Sequence, residues 1–265
     1  MTTDYSAQTL LIEGADAVAF AQAQFSSDVR LLKVGQWQFS AWLDAKGRVL
    51  ALIQLARLAD DALLALLRGG DAASLAQSLQ RFVFRSKVKL TAQTPRHLGT
   101  GPALESYAFD SEGDGYVFGC GTHSLVVGAA ADDAWRLPQL QAGWPWLPGN
   151  LPGELLPPAI SLERLQAVAF DKGCYPGQEI AARLHFRGGH KRHMHCVVLS
   201  QPLTGGTLLR HGGKEAIHLL DVVVGETDVQ ALAVIDDDVV KLLESDAMNG
   251  VDEGISLRIT ANWPA

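Results

Sequence analysis

Cysteine is scarce in this chain, and its few thiols form no framework. Cys120, Cys174 and Cys196 are an odd number without CxxC spacing, which suits neither a disulfide scaffold nor a self-contained zinc site and points to reduced thiols. No apolar run approaches the ~20 residues that a membrane span requires, and no basic start leads into an apolar stretch. A soluble, cytoplasmic protein without a membrane partner is therefore expected. Positive charge is also short: 22 Lys and Arg stand against 29 Asp and Glu, a formal net charge of −7. That argues against direct binding of nucleic acid by bulk electrostatics, which needs clustered cations, and leaves only a local basic patch open.

With 48% hydrophobic and 19% charged residues, the 265-residue chain is globular and long enough for one large domain or two to three small ones. Thr9 to Glu13 reads as a short strand. Ala15 to Phe25 has helical spacing, and Gln36 to Leu43 alternates as a strand. The Asp44-Ala45-Lys46-Gly47 turn returns the chain as a strand from Arg48 to Leu58. Asp61 to Leu67 is taken as a strand, Asp71 as the N-cap of a helix through Phe82, and Lys87 to Gln93 as a strand. Strand, helix and strand in this order suggest a ferredoxin-like α+β unit. Pro95 to Pro102 reads as a connector, followed by short strands at Tyr107 to Phe109, Gly115 to Cys120 and Ser124 to Val127. Six prolines between Leu137 and Pro158 exclude a long regular element there. A helix from Ser161 to about Phe170 is then expected, and beyond Lys191 short strands and tight turns predict a small barrel or sandwich.

Chemistry concentrates in Lys172-Gly173-Cys174-Tyr175-Pro176-Gly177-Gln178-Glu179. Pro176 suits the first turn of a helix running to about Leu184. Cys174 then sits just before a helix N-terminus with Lys172 nearby, and both would favour the thiolate; the competing reading is a small buried hydrophobe in a tight turn. Gln178 and Glu179 have the groups to bond a heteroaromatic amide edge or simply to cap the helix. Arg183, Arg187, Lys191 and Arg192, interleaved with His185, His190 and His193, read as the only basic cluster of an acidic chain, suited to a carboxylate or phosphate tail or to a solvated helix face. His193 and His195 share a strand face, but no third ligand stands beside them, so no metal site is assigned. Gly119 to Ser124 lacks the third glycine and following helix of a dinucleotide loop, and a Cys174–His hydrolase pair has no orienting third residue.

At these residues the chain resembles the YgfZ family of folate-binding proteins, relatives of the T-protein (aminomethyltransferase) of the glycine cleavage system. The resemblance rests on Lys172 to Glu179, Ala182-Arg183, Arg187-Gly188 and Lys191-Arg192. It extends to Ala23 to Val29, Asp44 to Arg48, Phe84 to Val88 and Ala142 to Pro145, and so covers nearly the whole chain. It implies three domains around a central channel: residues 1–48 with 104–165 as an α+β folate-binding domain, 49–103 with 166–190 as a ferredoxin-like domain carrying the cysteine loop, and 191–265 as a β-barrel. It also implies a bound tetrahydrofolate or derivative, and a role in assembling or maintaining iron-sulfur enzymes, including tRNA-modifying ones. Cys174 and Lys172 would be the functional thiol and its companion. Trp135, Tyr175, Gln178 and Glu179 would contact the folate, and Arg183, Arg187, Lys191 and Arg192 its glutamate tail or an acidic partner. The family's other folate-associated tryptophan has no counterpart before Gly14, where Tyr5 is the sole aromatic, and Pro158-Ala159 replaces a Pro-Gln pair. Aminomethyltransferases place carboxylates after the hairpin where this chain has Ala51 and Leu52. Neither side chain can exchange a proton, which implies no aminomethyl transfer; a one-carbon transferase or oxidase using Cys174 is the alternative.

Overall fold

A computed structural model describes residues 5–111, 113, 115–128, 130–245, 250–251 and 254–263. The first third contains β1 (Ser6–Ala7), β2 (Thr9–Glu13), α1 (Ala17–Gln24), β3 (Trp37–Leu43), β4 (Val49–Ala59), β5 (Ala62–Leu67), α2 (Ala72–Gln80) and β6 (Lys89–Ala92). There follow β7 (Arg96–Gly101), β8 (Phe109–Asp110), β9 (Tyr116–Gly119), β10 (Ser124–Gly128), α3 (Arg136–Gln141) and α4 (Gln178–Arg187). The last part holds β11 (Arg192–Leu199), β12 (Leu208–His211), β13 (Lys214–Val224), β14 (Val229–Asp236), α5 (Asp237–Ser245), β15 (Gly250–Val251) and β16 (Ile255–Asn262).

These strands form three antiparallel sheets. One has the order β3-β4-β5-β2-β6. Its period-2 pattern divides it into two apolar faces, as expected for a sheet covered on both sides. Leu10, Ile12, Ile53, Leu55, Leu63 and Ala65 pack on α1 and α2 through Phe20, Ala21, Leu75 and Leu79. On the opposite face Phe39, Leu52, Ala56, Leu64 and Leu66 join Leu98, Phe118, Leu125 and Val127 of the second sheet, whose order is β1-β7-β10-β9-β8. The order β4-β5-β2-β6 with both helices on one face is that of a ferredoxin-like unit, and β3 extends it by one strand. Residue 48 falls inside the β3–β4 hairpin, where Trp42 pairs with Ala51, so both strands flanking it belong to one sheet.

The third sheet runs β12-β13-β14-β11-β16-β15, and its edge strands β12 and β15 touch, so it curls on itself. Its inner face, including Val197, Ile217, Leu219, Ala233 and Ile235, is closed by Val239 and Leu243 of α5. That helix was not expected, although Val239 and Leu243 stand at i, i+4.

Two further expectations are corrected. The helix from Ser161 to Phe170 is instead a run of turns, because Ser161 (φ 52) and Gln166 (φ 53) occupy the left-handed region and interrupt helical bonding. The connector at Pro95 to Pro102 contains β7, which is flanked on both sides, by β1 and β10; its Gly99 and Gly101 weakened the strand pattern. Pro138 lies in the first turn of α3, the part of a helix that tolerates proline, so the proline-rich wrap still accommodates one short helix.

Candidate functional site

Three of the segments that carry the family resemblance meet around Cys174. The 23–29 segment is tied to the chain ahead of the cysteine: Ser26 Oγ donates to Ala167 O at 2.6 Å, and Ala169 N donates to Ser26 O at 2.8 Å. Ser26 Oγ in turn accepts from Ala41 N at 3.0 Å, joining both to β3. Lys172 completes the lock. Its Nζ donates to Phe25 O at 2.6 Å and Ser27 O at 2.7 Å and lies 4.9 Å from the Tyr175 ring centroid. The expected companion of the thiol is thus a buried anchor of the loop.

Burial pulls the Lys172 pKa down to about 8, with the Asp28 carboxylate opposing that shift. An unfolded lysine holds its proton to about 10.4, so between pH 8 and 10 the unfolded chain binds more protons than the folded one. This group therefore makes stability rise with pH in that window. Comparing urea midpoints of the protein and of Lys172→Met from pH 7.5 to 9.5 is expected to show the rise only in the parent. Parallel curves for the two proteins would remove the assignment.

Tyr175 is buried and its hydroxyl donates to Ala169 O at 3.0 Å, while burial pushes its pKa up to about 12. It is a packing residue of the loop with no open face. Gln178 starts α4, and its Nε2 donates to Lys172 O at 3.3 Å. Gly177 is left-handed (φ 78), and a Cβ there would meet Asp44 O at 2.5 Å and Gly47 Cα at 2.9 Å. The cysteine loop and the Asp44–Gly47 turn therefore approach backbone to backbone. Between these anchors Gly173 and Cys174 are exposed, which removes the reading of Cys174 as a buried hydrophobe. Glu179, Arg183 and Arg187 are exposed on α4, as is Lys191 beyond it. Arg192 is engaged, its Nε lying 2.6 Å from Asp236 Oδ1. His193 Nδ1 is 2.6 Å from Asp237 Oδ1, and His185 Nδ1 is 2.8 Å from Glu163 Oε2.

Trp135 lies elsewhere. It is 1% exposed, its Nε1 donates to Asp132 O at 3.0 Å, and its ring packs on Tyr5 and Trp146 with centroids 5.5 and 5.2 Å away. No face is left for stacking on a pterin. Tyr5 and Trp146 instead line a cleft of about 260 Å³ with Gly69, Gly70, Gly205 and Leu220, so that residues of all three sheet regions border it. Trp146 Nε1 is buried and has no partner among the described residues. The groups around the cleft would fit a flat heteroaromatic ligand, and Trp135 packs behind Tyr5 and Trp146. Composition gave no sign that Tyr5 and Trp146 line a common cleft.

A second buried cluster lies close by. Arg68 is fully buried and donates to Gln54 Oε1 and Gln139 Oε1, both at 2.9 Å, and to Pro145 O at 2.8 Å. Burial pulls its pKa down to about 9 and pushes that of Cys120 up to about 11, so Cys120 remains a thiol at neutral pH. Ala51 and Leu52 are both buried and apolar. The basic cluster on and after α4 is not the only one: Arg81, Arg85, Lys87 and Lys89 are all exposed within nine residues.

No family model matches the chain. It is 28% identical over 231 residues to the tRNA-modifying protein YgfZ of Aliivibrio fischeri, covering 76% of this chain and 72% of that protein. A Haemophilus influenzae protein is 28% identical over 193 residues, covering 71% and 69%. The fold is similar to the crystal structure of glycine cleavage system aminomethyltransferase T from Bartonella henselae, with a TM-score of 0.69 and 16% identity over 96% of this chain and 83% of that one. The chain is thus similar to several YgfZ proteins over about 70% of its length and shares the fold of the glycine cleavage aminomethyltransferase.

Proposed function

We propose that the protein is a folate-binding accessory factor for tRNA modification, which supports iron-sulfur enzymes of that process through the Cys174 thiol. The observation that carries this reading is the setting of Cys174. It is exposed, while its loop is pinned on one side by Lys172 and on the other by Gly177. A rigid scaffold that presents one accessible thiol suits contact with a partner's cluster or thiol. The relatives named as tRNA-modifying proteins support the choice of process. Tetrahydrofolate would occupy the cleft lined by Tyr5 and Trp146, supplying a redox-active pterin, and the exposed Arg183, Arg187 and Lys191 would meet an acidic partner. The apolar pair Ala51 and Leu52 supports an accessory role over aminomethyl transfer, since neither moves a proton.

The test is complementation. In cells lacking the gene, the parent protein is expected to restore thiolated tRNA nucleosides, whereas Cys174→Ala leaves them depleted. The Ala variant should keep its stability within about 0.5 kcal/mol, as expected for an exposed side chain. Full restoration by Cys174→Ala would dismiss the thiol's role. Tetrahydrofolate titrated against intrinsic tryptophan fluorescence should give a saturable change that weakens in Trp146→Phe, which lacks the unpartnered N–H.

A further inference from the structure

We propose that the strip from Arg81 to Lys89, together with the cleft beside Arg81, binds single-stranded RNA. The choice of RNA as the nucleic acid rests on the tRNA-related function proposed above; the case for a nucleic-acid surface stands on the strip itself. Arg81, Arg85, Lys87 and Lys89 are exposed, and no acidic residue occurs between them. This local charge runs against a net charge of −7. The neighbouring acids only partly offset it: Glu13 faces Lys89 across the β2–β6 ladder, and the Asp16 carboxylate accepts from Lys87 N at 2.7 Å.

Aromatic rings are set among these cations. Phe84 is 79% exposed and Phe82 is 37% exposed. The Arg85 guanidinium lies 5.1 Å from the Phe84 ring centroid, and that of Arg81 lies 4.8 Å from the Phe82 centroid. Exposed rings beside guanidinium groups are the parts from which sequence-tolerant single-strand surfaces are built: bases stack on the aromatic faces while the cations follow the phosphates. An acidic peptide would use the charges but has no need of the flat rings; an anionic membrane would take up both, and competition by vesicles separates it from RNA. The strip is also held in place. Gly14 leaves no room for a Cβ against the Lys87 carbonyl, and Lys89 begins the edge strand β6.

The adjoining cleft supplies a second, independent observation. It has a volume of about 420 Å³ and is lined by Trp42, Asp71, Ser74, Ser78 and Arg81 among apolar residues, the Asp71 carboxylate being engaged by Ser74 N at 2.7 Å. Trp42 is 6% exposed and its indole N–H has no partner among the described residues. An apolar floor with an unused donor, two hydroxyls and a cation suits one unstacked base with its phosphate at Arg81.

The experiment is fluorescence anisotropy of the full chain with a labelled single-stranded oligoribonucleotide of about 12 nucleotides, within the usual site size. Saturable binding is expected, weakened at least about fivefold by Phe84→Ala through lost stacking. Arg81→Ala and Arg85→Ala should each lower the slope of log affinity against log salt by about 0.7. Absence of binding would overturn the proposal. So would equal affinity of parent and Phe84→Ala, or competition by polyglutamate or by phosphatidylserine vesicles as effective as that by unlabelled RNA, since each marks a surface without preference for RNA. Phe84 is exposed, so its variant should unfold at the parent's urea midpoint. Cys174 takes no part in this assay, so its outcome is separate from that of the complementation test.

Discussion

Arg136→Ala should destabilise the protein by about 3–5 kcal/mol, the usual cost of breaking a buried ion pair. Arg136 Nη2 donates to Asp221 Oδ1 and to Val222 O, both at 2.6 Å. The pair is almost fully removed from water, with Asp221 only 2% exposed. Tyr5 donates its hydroxyl to the same carboxylate, and burial followed by the Asp221 charge holds the phenol well above its ordinary pKa. Asp221 lies in β13 at a register shift between Leu219 and Asp221, Arg136 opens α3, and Tyr5 leads into β1. The network therefore fastens the curled sheet to the β1 sheet beside the Tyr5–Trp146 cleft. Removing the guanidinium leaves Asp221 with the Tyr5 hydroxyl and its neighbouring amide, but without a counter-charge. Urea unfolding of Arg136→Ala, Asp221→Leu and the double variant tests this. The double variant should be more stable than the sum of the single losses implies, because it buries no unpaired charge. Additive losses would mean that the pair is not coupled.

Neither Arg136 nor Asp221 drew attention in the sequence, and Tyr5 did so only as the lone aromatic before Gly14; the reason is physical. Arg136 and Asp221 are 85 positions apart, and nothing local distinguishes a buried ion pair from two surface charges. The elements legible from the sequence were those with a clean period. The alternation of Trp37, Phe39 and Ala41 and the turn at Asp44–Gly47 identify β3 and β4, and Leu75 and Leu79 identify the inward face of α2. Elements set by long-range partners were hidden. β7 carries glycines that have no apolar signal of their own, and the supposed helix after Ser161 has suitable leucines but two left-handed residues that only the fold imposes. The same division runs through the candidate site. A helix after Pro176 and a thiol before it follow from local chemistry, whereas the burial of Lys172 and Trp135 depends on segments more than a hundred residues away. Local chemistry suggested an electrostatic companion for Cys174, and the family resemblance implied a folate contact at Trp135. Tertiary packing made both of them structural supports.

Gly177→Ala is the second change with a large expected effect, about 2–4 kcal/mol, and its neighbour Gly173 provides the control. At Gly177 two costs combine. The left-handed backbone (φ 78) disfavours a Cβ by roughly 1–2 kcal/mol. The added carbon would also stand 2.5 Å from Asp44 O and 3.0 Å from Leu43 Cβ, and relieving that contact requires backbone movement in a hairpin that Asp44 fixes through bonds to Lys46 N and Arg48 N, both at 2.8 Å. The turn cannot retreat cheaply, because Gly47 on its far side already lies close to Ile180 and has no space for a side chain of its own. Gly173 has nothing within 4 Å of its added carbon and no positive φ, so Gly173→Ala should stay within about 0.5 kcal/mol of the parent or gain slightly by restricting the unfolded chain. If rigid presentation is what makes Cys174 useful, Gly177→Ala should also raise hydrogen exchange in the 172–178 loop and impair complementation while the thiol itself is untouched. Equal stability of the two alanine variants would mean that the loop and the hairpin do not rely on this backbone contact.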